Sequence, residues 1–120
     1  MSAILTVLLS VIHSAVGEKL ILIPLQHSEG LPAVRGSVRS TRETLRFAWH
    51  VTSVFGLGIA AILFRYARMD ELDSGDIFIL KTLSLTFLAS FIVAIVGSRA
   101  RHPSWIVFAL LSLLTWLGTK

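Results

Sequence analysis

Two polar clusters interrupt stretches of sequence that are otherwise apolar. The first, H-S-A-V-G-E-K at 13–19, sets His13, Ser14, Glu18 and Lys19 between A-I-L-T-V-L-L-S-V-I and L-I-L-I-P-L. The second, R-F-A-W-H-V-T-S at 46–53, carries Arg46, His50 and Ser53. Carboxylate, imidazole and guanidinium side chains serve proton exchange, metal coordination or buried ion pairing. Spacing decides which of these is open to them.

On a helix turning about 100° per residue, Thr6, Ser10, His13, Ser14, Gly17 and Glu18 share an arc of roughly 140°. Lys19 points away from that arc, where its long stem can carry the charge to an interface. Glu43, Arg46, His50, Ser53, Leu57 and Ala60 form a matching face spanning about 100°. Glu18 and His50 both fall roughly 12–14 Å from the shared loop, so an antiparallel hairpin sets them level. Arg46 then comes about one turn shallower, and His13 deeper, near Ser53 and Val54. Thr82, Thr86, Ser90, Ala94 and Ser98 give a third segment one small residue in every four, a spacing that favours close helix packing. Ser90 reaches a similar depth. The expected polar zone therefore comprises His13, Ser14, Glu18, Arg46, His50, Ser53 and Ser90.

The elements that must position these residues are apolar throughout. Of 120 residues, 54% are hydrophobic and 15% charged, and the mean hydropathy is +0.79. A water-soluble domain of this size needs a more charged surface, so the composition indicates an integral membrane protein. Four apolar segments, at 2–25, 43–65, 77–98 and 104–118, predict a single all-α domain, a four-transmembrane-helix bundle running up-down-up-down. Ser40 and Glu43 have the spacing of a capping box, Asp73 or Asp76 suits the third N-terminus, and Pro103 suits the first turn of the fourth helix. Ala15-Val16-Gly17 has the small-x-small form of a signal cleavage site. No basic residue precedes the apolar run, so a retained span is expected instead.

Charge supplies an orientation. Arg35, Arg39, Arg42, Arg46, Arg99 and Arg101 lie on one side of the segments, and Arg65, Arg68 and Lys120 on the other with Asp70, Glu71, Asp73 and Asp76. The positive-inside rule makes the first side cytoplasmic and places both termini outside. Arg35, Arg39, Arg42, Arg99 and Arg101 are then expected at anionic lipid headgroups. The same clustering between apolar segments accounts for the net charge of +4 without a nucleic-acid partner.

Four readings of the polar zone follow. A metal site would use His13, Glu18 and His50, but residues five apart on one helix diverge by roughly 140° and chelate poorly. Haem would take His13 and His50 as axial ligands, at depths about one turn apart. A proton or ion pathway would run through Glu18 and His50 with Arg46 tuning them, and a chain this small would act as an oligomer or beside a partner in a membrane complex. The structural reading pairs Glu18 with Arg46 and hydrogen-bonds His50 to Ser14 or Glu18, fixing helix register as in an accessory subunit. His27 reads as a solvated loop residue and His102 as part of the entrance to the fourth helix. Trp49, Trp105 and Trp116 fit interfacial or packing positions. No nucleophile elbow, P-loop, H-E-x-x-H or Gly-rich phosphate cradle occurs, which argues against the common enzyme classes. The absence of cysteine removes disulfides and thiolate ligands.

H-S-x-x-G-E at 13–18 followed by T-L-R-F-A-W-H-V-T-S at 44–53 resembles a pattern in small four-helix bacterial membrane proteins that have no assigned activity. The resemblance covers the N-terminal half and implies a bacterial cytoplasmic-membrane location without implying a chemistry. The signature motifs of small multidrug transporters and of fluoride channels are missing.

Overall fold

The computed structural model describes residues 1–33, 36–101 and 103–120. The elements among the described residues are helical, in the order α1 (Ser2–Gly17), a π-helical turn (Glu18–Leu22), α2 (Ile23–His27), α3 (Val38–Tyr66), α4 (Ser74–Ser98) and α5 (Ser104–Leu117). The first three elements run on without a break, so Ser2–His27, Val38–Tyr66 and Ser74–Ser98 are three helices long and apolar enough to cross a membrane. At about 1.5 Å per residue α5 reaches only about 21 Å, short of a hydrocarbon core of about 30 Å.

Local sequence explains most of the boundaries. Asp73 caps α4 in a reciprocal box: its side chain accepts from the Asp76 N–H at 2.8 Å, and Asp76 accepts from the Asp73 N–H at 3.1 Å. The box expected at Ser40 and Glu43 is not used. The helix starts earlier, at Val38, and Glu43 instead accepts from Arg39 at 2.7 Å one turn away, an exposed pair. The first helix also departs from regularity where the sequence suggests an even rod. Pro24 lacks an N–H, and its ring crowds the carbonyl four residues back, at Leu20. The turn just before it widens to the π form, with the Ile23 N–H bonding the Glu18 carbonyl.

The chain divides into two compact units, Val7–Gly58 and Met1–Thr6 with Ile59–Lys120. In the second, α4 packs on α5 through a reciprocal serine clasp. The Ser84 hydroxyl donates to the Ser112 carbonyl at 2.8 Å and the Ser112 hydroxyl to the Ser84 carbonyl at 2.9 Å. Leu111 and Thr115 are fully buried, Phe91 meets Trp105 edge-on at 6.3 Å, and the Lys81 ammonium lies 5.6 Å from the Trp116 ring centre. Each clasp bond adds a second acceptor role to a carbonyl already inside a helix, so its removal strands no backbone group. Ser84→Ala is expected to cost about 0.6 kcal/mol, and Ser84→Ala with Ser112→Ala about twice that, in a denaturant titration followed by circular dichroism.

Candidate functional site

The polar faces of the first helix and α3 meet within the Val7–Gly58 unit in three successive levels. At the shallow level the Arg46 guanidinium donates to Glu18 Oε1 in a short ion pair. One level deeper, His50 Nε2 lies 3.0 Å from Glu18 Oε2, and His50 Nδ1 lies 2.6 Å from Ser14 Oγ. Deeper again, His13 Nδ1 lies 3.0 Å from Ser53 Oγ. The two histidine–serine pairs cross: each helix gives an imidazole to the other's hydroxyl.

Glu18 reaches both of its partners because it opens the π turn, where the helix widens and its side chains are re-aimed. It is the better shielded member of its ion pair. Its side chain is 20% exposed, against 49% for Arg46 and 38% for His50.

With Glu18 ionised and His50 neutral, the donor and acceptor inventory allows one arrangement of the protons. An ionised Glu18 only accepts, and Arg46 only donates, so His50 Nε2 carries the hydrogen it shares with Glu18. In the neutral imidazole Nδ1 is then the acceptor, and the Ser14 hydroxyl donates to it. The hydrogen bonds run in one direction, from Ser14 through His50 to Glu18. Arg46 holds the far end.

Trp49, assigned from sequence to packing or an interface, belongs to this site. Its indole stacks on His13 with ring centres 4.4 Å apart and planes 5° from parallel, while its Nε1 donates to the His13 carbonyl at 2.9 Å. Gly17 is buried beneath it, and a Cβ there would collide with the indole ring. A second glycine, Gly56 on α3, likewise makes room for the Ser10 hydroxyl. The sequence marks these two residues by adjacency alone, Trp49 standing one residue before His50 and Gly17 one before Glu18.

The remaining residues named from sequence make other contacts. Ser90 belongs to the other unit, where its hydroxyl donates at 2.9 Å to the Thr86 carbonyl of its own helix. His27 turns back to the Ile23 carbonyl at 2.8 Å and is exposed. Arg39 pairs with Glu43, and Arg42 donates to the Ser28 carbonyl at 2.9 Å. Arg99 and Arg101 are exposed around the left-handed turn that ends α4. Arg35 and His102 lie outside the described residues.

As a metal site the cluster fits poorly. Both nitrogens of His50 are engaged, by Ser14 and by Glu18, which leaves no lone pair for a metal or a haem iron. Among the described residues no group of three histidine, cysteine, aspartate or glutamate side chains converges on a common point. What the arrangement offers is a directional string of exchangeable protons, tied at one end to a fixed positive charge.

Comparison with known proteins adds no relative: no protein-family model matches the chain, and neither the curated proteins nor the solved structures give a match.

Proposed function

We propose that this chain is a small multi-pass protein of a bacterial cytoplasmic membrane in which Ser14, His50 and Glu18 relay protons across part of the bilayer. The carrying observation is the state of His50, bonded at one nitrogen to a hydroxyl and at the other to a carboxylate. An imidazole held in this way takes a proton at one edge and releases one at the other, and a ring flip or a reverse transfer resets it. Arg46 supplies the counter-charge at the Glu18 end, and at half exposure it gives that end of the string access to water or headgroups. In this reading Ser2–His27, Val38–Tyr66 and Ser74–Ser98 cross the bilayer in alternation, and the shorter α5 completes a fourth crossing where the bilayer thins around it; both termini then lie outside, and the chain works as an oligomer or beside a membrane partner. Intramembrane ionisable residues mark such pathways far more often than lipid-facing surface does.

A second reading is favoured by the completeness of the same network, since both oxygens of Glu18 are occupied. A fully satisfied cluster also locks two helices in register, which is what an accessory subunit requires.

Proton flux separates the two. The protein, reconstituted in phospholipid vesicles that enclose a pH-sensitive dye, with valinomycin and potassium to balance charge, is expected to collapse an imposed pH gradient. His50→Gln is expected to return the rate to that of protein-free vesicles. A wild-type rate equal to that of empty vesicles overturns the relay.

A further inference from the structure

The string from Ser14 to Glu18 accounts for one of the two imidazoles between the helices, and the other is held with equal care. His13 sits one level deeper, its Nδ1 at 3.0 Å from Ser53 Oγ and its face covered by the Trp49 indole at 4.4 Å. The indole is itself fixed at two points. Its N–H is spent on the His13 carbonyl, and it rests over Gly17, the position where a side chain would displace it. A tryptophan placed only to fill space needs neither the parallel ring nor the shared anchor. The parallel stack has a charge preference, because an aromatic face attracts a cation and an imidazolium is one.

The stations are also in series. Ser53 follows His50 by three residues on α3, a rise of about 4.5 Å, and His13 adjoins Ser14 on the first helix. Resting on the relay reading above, we propose that His13 is its second proton-holding residue and that Trp49 is the positioning residue that stabilises its protonated form. A proton arriving from the deeper side is held on His13 over the indole, leaves it at the Ser53 hydroxyl and enters His50 from the Ser14 hydroxyl, the transfer between the two hydroxyls being part of the proposal. Among the described residues of the two helices, the titratable and charged groups on this face are Glu18 from the π turn and His50, Arg46 and, nearest the loop, Glu43 from α3, the last paired with Arg39.

Trp49 supplies its own reporter, since a protonated imidazole stacked on an indole quenches its fluorescence and a neutral one does so far less. The full chain carrying Trp105→Phe and Trp116→Phe, in the same vesicles, isolates that emission. The expected result is quenching as pH falls, following a single proton, and its loss in His13→Gln. Emission that is flat with pH overturns the proposal, and so does a titration that survives His13→Gln, because it then reports His50. Flux gives the independent arm. His13→Gln is expected to slow it tenfold or more and Trp49→Leu at least threefold, while Trp49→Phe, which keeps an aromatic face, recovers most of the rate. Wild-type flux with unimpaired His13→Gln overturns the second station and leaves the first standing; a wild type that moves no protons overturns both.

Discussion

Replacing Glu18 by glutamine is expected to slow proton flux by about a hundredfold or more while leaving the protein folded. The argument rests on what the amide does to the proton inventory. Its oxygen still accepts from Arg46, but its nitrogen is a donor and now faces His50 Nε2. His50 adapts by changing tautomer, so that Nε2 accepts and Nδ1 donates to Ser14. Every hydrogen bond can be remade, and the network stays satisfied. The direction of the string is reversed, however, and it now ends on an amide that takes up no proton. Arg46 loses its counter-charge but is half exposed, so the stability cost is that of a partly solvated pair, about 1 kcal/mol or less. Flux in vesicles and a denaturant titration of the same preparation check the two halves. Intact flux sinks the relay, and a stability loss of about 3 kcal/mol or more, with the helices coming apart, favours the register-locking role instead.

The part of this site that was legible in the sequence was the part governed by helical period and depth. Counting residues from the shared loop sets Glu18 level with His50 and Arg46 a turn shallower, and their side chains are in contact. His13 falls beside Ser53 by the same count. What the count could not supply was direction within a level. The crossing of the two histidine–serine pairs depends on χ angles, and the aim of Glu18 on the π turn it opens, which Pro24 induces from the residues that follow. Ser90 shows the opposite limit. The residue count gives it the same depth, yet its hydroxyl is satisfied one turn back along α4, an outlet open to any serine in a helix. Ser40 and Glu43 fail for a related reason, because helix α3 begins at Val38 and Glu43 has Arg39 one turn behind it. Trp49 was passed over because tryptophan in an apolar segment usually packs or anchors, and nothing in its own spacing announces a stacked partner on another helix.

Gly17→Ala tests whether that stack is built into the fold, and its sign is informative. An alanine in place of a helical glycine stabilises by up to about 1 kcal/mol when nothing opposes it. Gly58, where an added Cβ meets open space, is the control and is expected to show that gain. At Gly17 the added methyl collides with the indole ring of Trp49, whose N–H is bonded to the His13 carbonyl and whose face lies on the His13 ring. The indole cannot yield at a flexible tip. It must leave both partners or force the helices apart, at a cost of about 1–3 kcal/mol for overpacking and about 1 kcal/mol for the lost hydrogen bond. Gly17→Ala is therefore expected to destabilise by roughly 1–3 kcal/mol after the helical gain is set against it. Gly56→Ala meets mainly the Ser10 hydroxyl, a single atom on one rotatable bond, and is expected to cost less. The decisive comparison is Gly17→Ala in a Trp49→Leu chain. With the indole gone, the same substitution should turn from destabilising to neutral or stabilising, a coupling read directly from a double-mutant cycle in denaturant. If Gly17→Ala costs as much without Trp49 as with it, Gly17 is small for some other contact, and the indole is not held over His13 by design of the helix pair.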